Sequence, residues 1–270
     1  MESGNGEKRA RQAAEERRTA YPMGLTPTSF SVPSGVTTIA VAAINNNLTT
    51  LTFPASVVNV VTPIRCTKLT TFSVNASNPR YSSPDGLLCS QNGDTLFQVP
   101  QNKYSGVVTI PAHVKHVGAS AFYMCEGITQ INTNLVESIY QPTYSTSRLT
   151  KMVIYPSLKS YIPNHYGTPV NYSLYSTSDY FTIDDKGVMY NKDYTRLVAA
   201  SRSVYGTSYT THANTEVVGT GAFHNTGLAS ITLSAKVKEL ESSALRADLL
   251  TSATLNNQLK KIGPLCFYHS

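Results

Sequence analysis

Tryptophan is missing from this 270-residue chain, and charged residues are scarce, at 14%. Disordered chains combine low hydrophobicity with high charge, so a chain with 41% hydrophobic residues falls outside that class. Helical bundles draw on Glu, Lys, Leu and Ala, which this composition does not favour. The 17 tyrosines and the many Thr, Val and Ile residues instead suit the pleated surface of a β-sheet.

Several targeting and binding signals are also absent. No run of 18 apolar residues is long enough to span a membrane, and the N-terminus lacks the apolar segment of a signal peptide. The formal net charge of +6 is spread thinly, without the basic stripe that nucleic-acid binders carry. We therefore expect neither a membrane span nor a nucleic-acid partner.

Residues 1–22 differ from the rest of the chain. They hold five basic and four acidic residues, and residues 5–20 are rich in the helix formers Ala, Glu, Arg and Gln. A short helix without an apolar face is only marginally stable alone in water. The sequence thus predicts a short N-terminal helix, a charged leader ended by Pro22, that either frays or orders on a partner and anchors the chain.

The remaining residues, 23–270, repeat one pattern. The stretches "FSVPSGVTTI" (30–39) and "LTFPASVVNV" (51–60) share an apolar–x–apolar–Pro start and begin 21 residues apart. The stretches "VTIPAHVKHVGASAF" (108–122) and "ITLSAKVKEL" (231–240) follow the same scheme. One such unit cannot bury its apolar side alone, whereas stacked units bury it and align their strands in a parallel ladder. The period therefore predicts a single β-rich solenoid.

Two stretches interrupt the period. The first, "SPDGLLCSQNGDTLFQVP" (83–100), has two apolar runs joined by Asn92-Gly93, which is a hairpin signal. Shifted by 101 residues, it falls on "IDDKGVMYNKDYTRLVAAS" (183–201). We predict two matched hairpin insertions, over about residues 80–103 and 181–204. Each is expected to form an extra ribbon on the solenoid that a partner grips.

These motifs resemble the treponemal-type, BspA-like leucine-rich repeat family, whose unit runs L-x-x-I-x-I-P-x-x-V-x-x-I-G-x-x-A-F-x-x-C. Residues 105–127 match that unit at Ile110, Pro111, Val114, Val117, Gly118, Ala121, Phe122 and Cys125. The resemblance implies leucine-rich-repeat coils of about 21–23 residues with a parallel strand ladder. It covers about residues 25–270, weakens over 131–175 and lacks the family's cysteine at Thr226.

The four cysteines, Cys66, Cys89, Cys125 and Cys266, lack the CxxC spacing of zinc sites. Cys66 and Cys125 occupy equivalent places in the repeat, with one coil between them. Two coil steps separate such residues by about 10 Å. That distance exceeds the ~7 Å between α-carbons that a disulfide can bridge. We expect free, buried thiols.

Catalytic and metal-binding patterns are missing as well. The chain has no G-x-S-x-G, P-loop or G-x-G-x-x-G sequence. Asp184 and Asp185 are adjacent, and adjacent strand residues point to opposite faces, so we interpret them as turn formers. His113 and His116 have H-x-x-H spacing but no evident third ligand. We expect a protein that is not an enzyme and that holds neither a cofactor nor a metal.

Seven tyrosines lie where the repeat is most degraded, and such rigid, amphipathic rings suit protein contacts. They are Tyr140, Tyr144, Tyr155, Tyr161, Tyr166, Tyr172 and Tyr175. Two interpretations stay open, since departure from the repeat marks either a partner-binding surface or drift in a unit that tolerates variation.

Two functions fit this sequence. The family resemblance implies a non-enzymatic, adhesin-type module that binds proteins at the cell surface or outside the cell, although no signal peptide is visible. The alternative is a structural component of a larger assembly, such as a phage or viral particle or an intracellular complex. Residues 1–22, or the C-terminal coil that stops at "CFYHS" without a polar cap, would then mediate self-association or assembly.

Overall fold

The computed structural model describes residues 28–40, 47–61, 63–140, 148–163 and 170–268. The helical leader predicted over residues 1–22 lies outside these ranges. Within them the chain is a β-solenoid of about ten coils with parallel strand ladders. The solenoid that the repeat predicts is therefore confirmed.

The described strands fall into three segments of the chain. The first segment holds β1 (Ser29–Ser31), β2 (Thr38–Ile39), β3 (Thr50–Phe53), β4 (Asn59–Val60), β5 (Thr71–Val74), β6 (Tyr81–Ser82), a 3₁₀ turn (Pro84–Gly86), β7 (Leu88–Ser90) and β8 (Thr95–Gln98). The middle segment holds β9 (Gly106–Thr109), β10 (His116–Val117), β11 (Ile128–Asn132), β12 (Ser138–Tyr140), β13 (Lys151–Ile154), β14 (Ser160–Ile162) and β15 (Asn171–Leu174). The last segment holds β16 (Phe181–Ile183), β17 (Val188–Asn191), β18 (Arg196–Ala200), a 3₁₀ turn (Arg202–Val204), β19 (Ser208–Thr210), β20 (Val217–Val218), β21 (Ser230–Thr232), β22 (Glu239–Leu240), β23 (Ser252–Thr254) and β24 (Lys261–Ile262).

Each regular coil places its apolar–x–apolar strand in a first ladder and its return leg in a second. The first ladder runs through β1, β3 and β5, then β9, β11, β13 and β15, and then β19, β21 and β23. Its register follows the repeat, since Leu51 lies opposite Phe30 on one side and Phe72 on the other. The ladder is interrupted twice, between β5 and β9 and between β15 and β19, which are the positions of the two insertions.

The G-x-x-A-F motif marks a close approach between neighbouring coils. A β-carbon on Gly219 would lie 2.8 Å from the carbonyl oxygen of Leu197, and one on Gly118 would lie 3.3 Å from that of Leu96. Glycine lets the backbone come near enough to bond, because the Gly219 amide donates to Leu197 at 2.8 Å. The motif is therefore a requirement of coil stacking.

The insertions are three-stranded antiparallel meanders, and not two-stranded hairpins. β6, β7 and β8 pair antiparallel, after which β8 pairs parallel with β10. β16, β17 and β18 repeat this arrangement, and β18 pairs parallel with β20. The hairpin pattern in the sequence consists of two apolar runs, which correspond to the second and third strands of each meander. It does not predict the first strand, because β6 and β16 are short and add no further apolar run to that pattern.

Both faces of the middle strand of each meander are buried. Leu88 packs in the core of the first segment, whereas its neighbours Leu87 and Cys89 pack in the core of the middle segment. In β17, Met189 packs in the middle core, while the residues on either side of it pack in the last core. The meanders are thus partitions that divide the interior into three cores. This burial corrects the prediction that each insertion forms an extra ribbon on the solenoid that a partner grips.

Replacing Met189 by Ala tests the partition. Met189 is fully buried, so the truncation removes packing and leaves a cavity, at a cost of about 2–5 kcal/mol in the free energy of unfolding. Urea denaturation followed by circular dichroism measures the loss. Val107→Ala is the control, because Val107 is 61% exposed and its truncation should change stability by less than about 0.5 kcal/mol. Equal losses in the two variants would contradict the partition.

Candidate functional site

Two of the seven predicted tyrosines, Tyr144 and Tyr166, lie outside the described residues. Tyr161 and Tyr172 turn towards the middle core, with ring centroids 5.7 Å apart and hydroxyl oxygens 3.1 Å apart. Tyr161 is only 6% exposed, so this pair does not form a contact surface. Burial raises the pKa of Tyr172 to about 12, against the lowering effect of its hydrogen bond with Tyr161.

Tyr155 and Tyr175 meet at the surface. Each directly follows a first-ladder strand, and their rings stack with centroids 4.1 Å apart and planes 10° apart. The stacking of coils sets this geometry, because the Tyr175 amide donates to the Ile154 carbonyl at 2.8 Å and the Tyr155 amide to Thr133 Oγ1 at 2.9 Å. Tyr175 is 64% exposed, so the stack presents an open aromatic face to solvent.

Tyr140 stands apart from this stack. It ends β12 in the second ladder and is 54% exposed. The structure therefore brings together one exposed pair from the predicted set and one buried pair. Whether any of these tyrosines contacts a partner stays a prediction.

A second aromatic stack follows the second meander. Tyr194, in the β17–β18 turn, stacks on His212 with ring centroids 4.1 Å apart and planes 23° apart. His212 lies two residues after β19, and Tyr175 directly follows β15, so each stack includes a ring near the end of a first-ladder strand. Sequence reasoning missed this pair, although the 101-residue shift places His212 on the corner residue Pro111.

Asp184 is a turn former, as its sequence context suggests, and it also ends a chain of buried hydroxyls. Its Oδ2 accepts a hydrogen bond from the Tyr209 hydroxyl at 2.5 Å, and the Tyr209 oxygen lies 2.5 Å from the Tyr190 hydroxyl. The Tyr190 oxygen in turn accepts the backbone amide of His212 at 3.3 Å. Burial raises the pKa of both tyrosines. Every member of the chain has a protein partner, which suits a structural link between the meander and the next coil.

The two candidate metal ligands, His113 and His116, contact different side chains. His113 Nδ1 lies 3.7 Å from a carboxylate oxygen of Asp85, and His116 Nδ1 lies 2.8 Å from Ser138 Oγ. Across the described ranges, no three His, Cys, Asp or Glu side chains form a group able to hold a metal ion.

The four cysteines are buried free thiols, in agreement with the sequence. Burial raises the pKa of Cys89 to about 12 and that of Cys125 to about 12. Thiols so hard to ionise behave as small core residues.

Over the part of the chain that the structure describes, no helix has the length and apolar character needed to cross a membrane. The last described coil exposes Leu255, Ile262 and Leu265. Self-association through that coil stays a prediction.

Known families and structures resemble this solenoid. A family model for the BspA type leucine-rich repeat region matches residues 96–168 and 202–270, in six copies. The coils of the first segment precede the first matched range and stack in the same way. None of the curated proteins compared with the chain matches it.

Three solved structures share the fold. The pneumococcal vaccine antigen PcpA is 17% identical, with a TM-score of 0.58, over 91% of this chain and 71% of that chain. A leucine-rich cell surface protein from Faecalibacterium prausnitzii is 15% identical, with a TM-score of 0.56, over 93% and 75%. A leucine-rich repeat protein from Eubacterium ventriosum is 16% identical, with a TM-score of 0.52, over 90% and 64%. At these identities the likeness extends to the fold alone.

Alkaline titration tests the buried hydroxyls. A tyrosine whose pKa is raised on folding holds its proton more tightly in the folded state, so its stabilisation is complete below pH 10 and is lost above it. Between pH 10 and 12 the free energy of unfolding should fall by up to about 1.4 kcal/mol per pH unit for each such group. Urea titrations of Tyr172→Phe should show a shallower fall than the unmodified protein.

Tyr175→Phe is the matched control, because it removes a hydroxyl from an exposed tyrosine that lies three residues after Tyr172 in the chain. Its slope against pH should equal that of the unmodified protein. A slope for Tyr172→Phe that matches the control would contradict the burial of the Tyr172 hydroxyl.

Proposed function

The chain belongs to the BspA-type leucine-rich repeat family, and we propose that it is a non-enzymatic, adhesin-type module that binds a protein partner at a cell surface or outside the cell. The observation that carries this proposal is the exposed stack of Tyr155 on Tyr175. A stacked pair is already ordered before binding, so a partner that covers it gains apolar and hydroxyl contacts at little cost in side-chain entropy.

The solenoid supports such a role in a second way. Stacked coils hold side chains at a fixed repeat along an extended surface, which is how repeat proteins in general form binding faces. The polar cluster that most resembles reactive chemistry, around Asp184, is occupied by internal hydrogen bonds. Among the structural relatives, the Faecalibacterium protein is described as a cell surface protein, and this supports the proposed location.

The alternative role, as a component of a larger assembly anchored by residues 1–22, depends on residues outside the described ranges. No structural observation favours it over the binding role.

Capture of partners by tyrosine variants tests the proposal. Immobilised protein is exposed to surface extracts of the source cells and of cells that live beside them, and retained proteins are identified by mass spectrometry. The double variant Tyr155→Ser/Tyr175→Ser should bind at least one partner about 30-fold more weakly, since buried aromatic anchors contribute about 2 kcal/mol or more to binding. The fold is checked by circular dichroism.

Tyr268→Ser is the control, because Tyr268 is 51% exposed on the last described coil. It should retain every partner that the unmodified protein retains. Equal recovery of all partners by the double variant and the control would refute a role for the stack.

A further inference from the structure

A cavity of about 260 Å³ lies where the second ladder meets the first meander, and none of the proposed surface tyrosines lines it. The second-ladder strand β4 pairs with β2 on one side and with no described strand on the other. Instead, Tyr81 of β6 reaches across, and its hydroxyl oxygen accepts the Val60 amide at 3.1 Å. A tyrosine side chain spans a wider gap than the ~4.8 Å between paired strands. The cavity is the space that this gap leaves.

The walls of the cavity are apolar and aromatic. Val60, Leu88 and Phe97 line it together with the ring of Tyr81. The rings of Tyr81 and Phe97 meet edge to face, with centroids 5.7 Å apart and planes at 82°. Leu88 is fully buried and Tyr81 is 7% exposed, so core packing fixes both walls before a ligand binds. A corner made by two rings favours a third ring, because edge-to-face contacts add to the gain from buried area.

Arg80 gives the cavity a positive charge at its exposed side. It is the only charged residue among the described residues that line the cavity. Its guanidinium carbon lies 5.9 Å from the centroid of the Tyr81 ring, within the range of a cation–π contact. Arg80 makes no ion pair with any described residue. Its N–H groups are therefore available to a carboxylate, which a guanidinium binds through two parallel hydrogen bonds.

The second meander does not repeat this combination of residues. β6 begins with Tyr81 and is preceded by Arg80, whereas β16 begins with Phe181 and is preceded by Tyr180. The guanidinium and the bridging hydroxyl are both missing there. The Arg–Tyr pair is therefore not a requirement of building a meander, and it is particular to the first one.

The volume of the cavity limits the size of its ligand. Drug-sized ligands occupy sites of about 300–1,000 Å³, so this cavity takes a smaller molecule. Benzene fills an apolar cavity of about 150 Å³ in an engineered protein. The larger volume here has room for one ring and a short chain that ends in an acid, and it is too small for a peptide segment of several residues.

We infer that this cavity binds a small aromatic carboxylate, with its ring against Tyr81 and Phe97 and its carboxylate on Arg80. The Tyr81 hydroxyl accepts the Val60 amide and keeps its own proton, which is a second donor at the site. A cationic ligand is disfavoured, because no described lining residue has a negative charge to offset its desolvation. This site goes beyond the adhesin-type function and does not depend on it.

Isothermal titration calorimetry of the full-length protein with 3-phenylpropanoate tests this inference. The acid should bind at one site. Its neutral and cationic analogues, 3-phenylpropanamide and 3-phenylpropylamine, should bind at least about tenfold more weakly, because neither offers a carboxylate to Arg80. Arg80→Gln should weaken binding of the acid by about tenfold or more, the loss expected for a charge-assisted hydrogen bond, and should remove the preference for acid over amide.

Matched variants separate the cavity from the rest of the surface. Arg148→Gln makes the same change of charge at an exposed arginine on another coil, and it should leave binding unchanged. Ala119→Phe adds a ring at an exposed residue that lines the cavity, and it should abolish binding by filling the entrance. Ala112→Phe adds the same ring at an exposed alanine that does not line the cavity, and it should bind normally. Circular dichroism checks the fold of each variant.

The inference is overturned if the acid does not bind, if it binds no more tightly than the amide, or if Ala119→Phe and Ala112→Phe bind it equally. Tighter binding of a capped Gly-Phe-Asp-Gly peptide than of the acid would assign the cavity to a side chain of a partner protein and would also overturn a small-molecule ligand. The tyrosine variants that test the proposed function leave the cavity intact, so the two proposals fail independently.

Discussion

Hydrogen bonding from coil to coil is the constraint on which the rest of this structure depends. A coil satisfies the backbone groups of its strands only through the coils before and after it, and it buries its apolar side chains only between them. The repeat of about 22 residues therefore places like positions directly over one another. Glu137 meets Lys159 at 2.7 Å and Glu216 meets Lys238 at 2.9 Å for this reason, as do the stacked rings of Tyr155 and Tyr175.

The two meanders show what happens when that constraint is interrupted. Each inserts a small antiparallel sheet whose middle strand has side chains in two different cores, so the interior stays filled although the coil pattern stops. The first ladder is broken at both points. At the first break Ser83 Oγ accepts the Val74 amide at the edge of β5. At the second break Ser201 Oγ accepts the Tyr172 amide at the edge of β15, and the Arg202 amide donates to the Val170 carbonyl. Two insertions of similar sequence thus bond the interrupted ladder edge through different residues.

The aromatic residues separate by position within the coil and not by residue type. Tyr155 and Tyr175 follow first-ladder strands at a corner, where side chains reach solvent. Tyr161 lies within a second-ladder strand and turns inward, next to Tyr172. Exposure of an aromatic ring in this solenoid therefore depends on the coil position that carries it, and a simple count of tyrosines overstates the exposed aromatic area.

The sequence by itself determined the solenoid, the coil length and the location of both insertions. A repeat period and a hairpin turn are patterns that can be recognised directly in the order of the residues. It also determined that the cysteines are buried, since Cys66 and Cys125 hold equivalent repeat positions. Only the tertiary structure decided that the insertions are partitions, because the pairing of β6 and β16 and the two-sided burial of β7 and β17 depend on segments far apart in the chain. It also decided which tyrosines are exposed, since the repeat over 131–175 is too degraded to predict whether each side chain faces the core or the solvent. The hydrogen bonds from Ser201 and Arg202 to the edge of β15 are likewise long-range contacts, and they leave no local signature in the sequence.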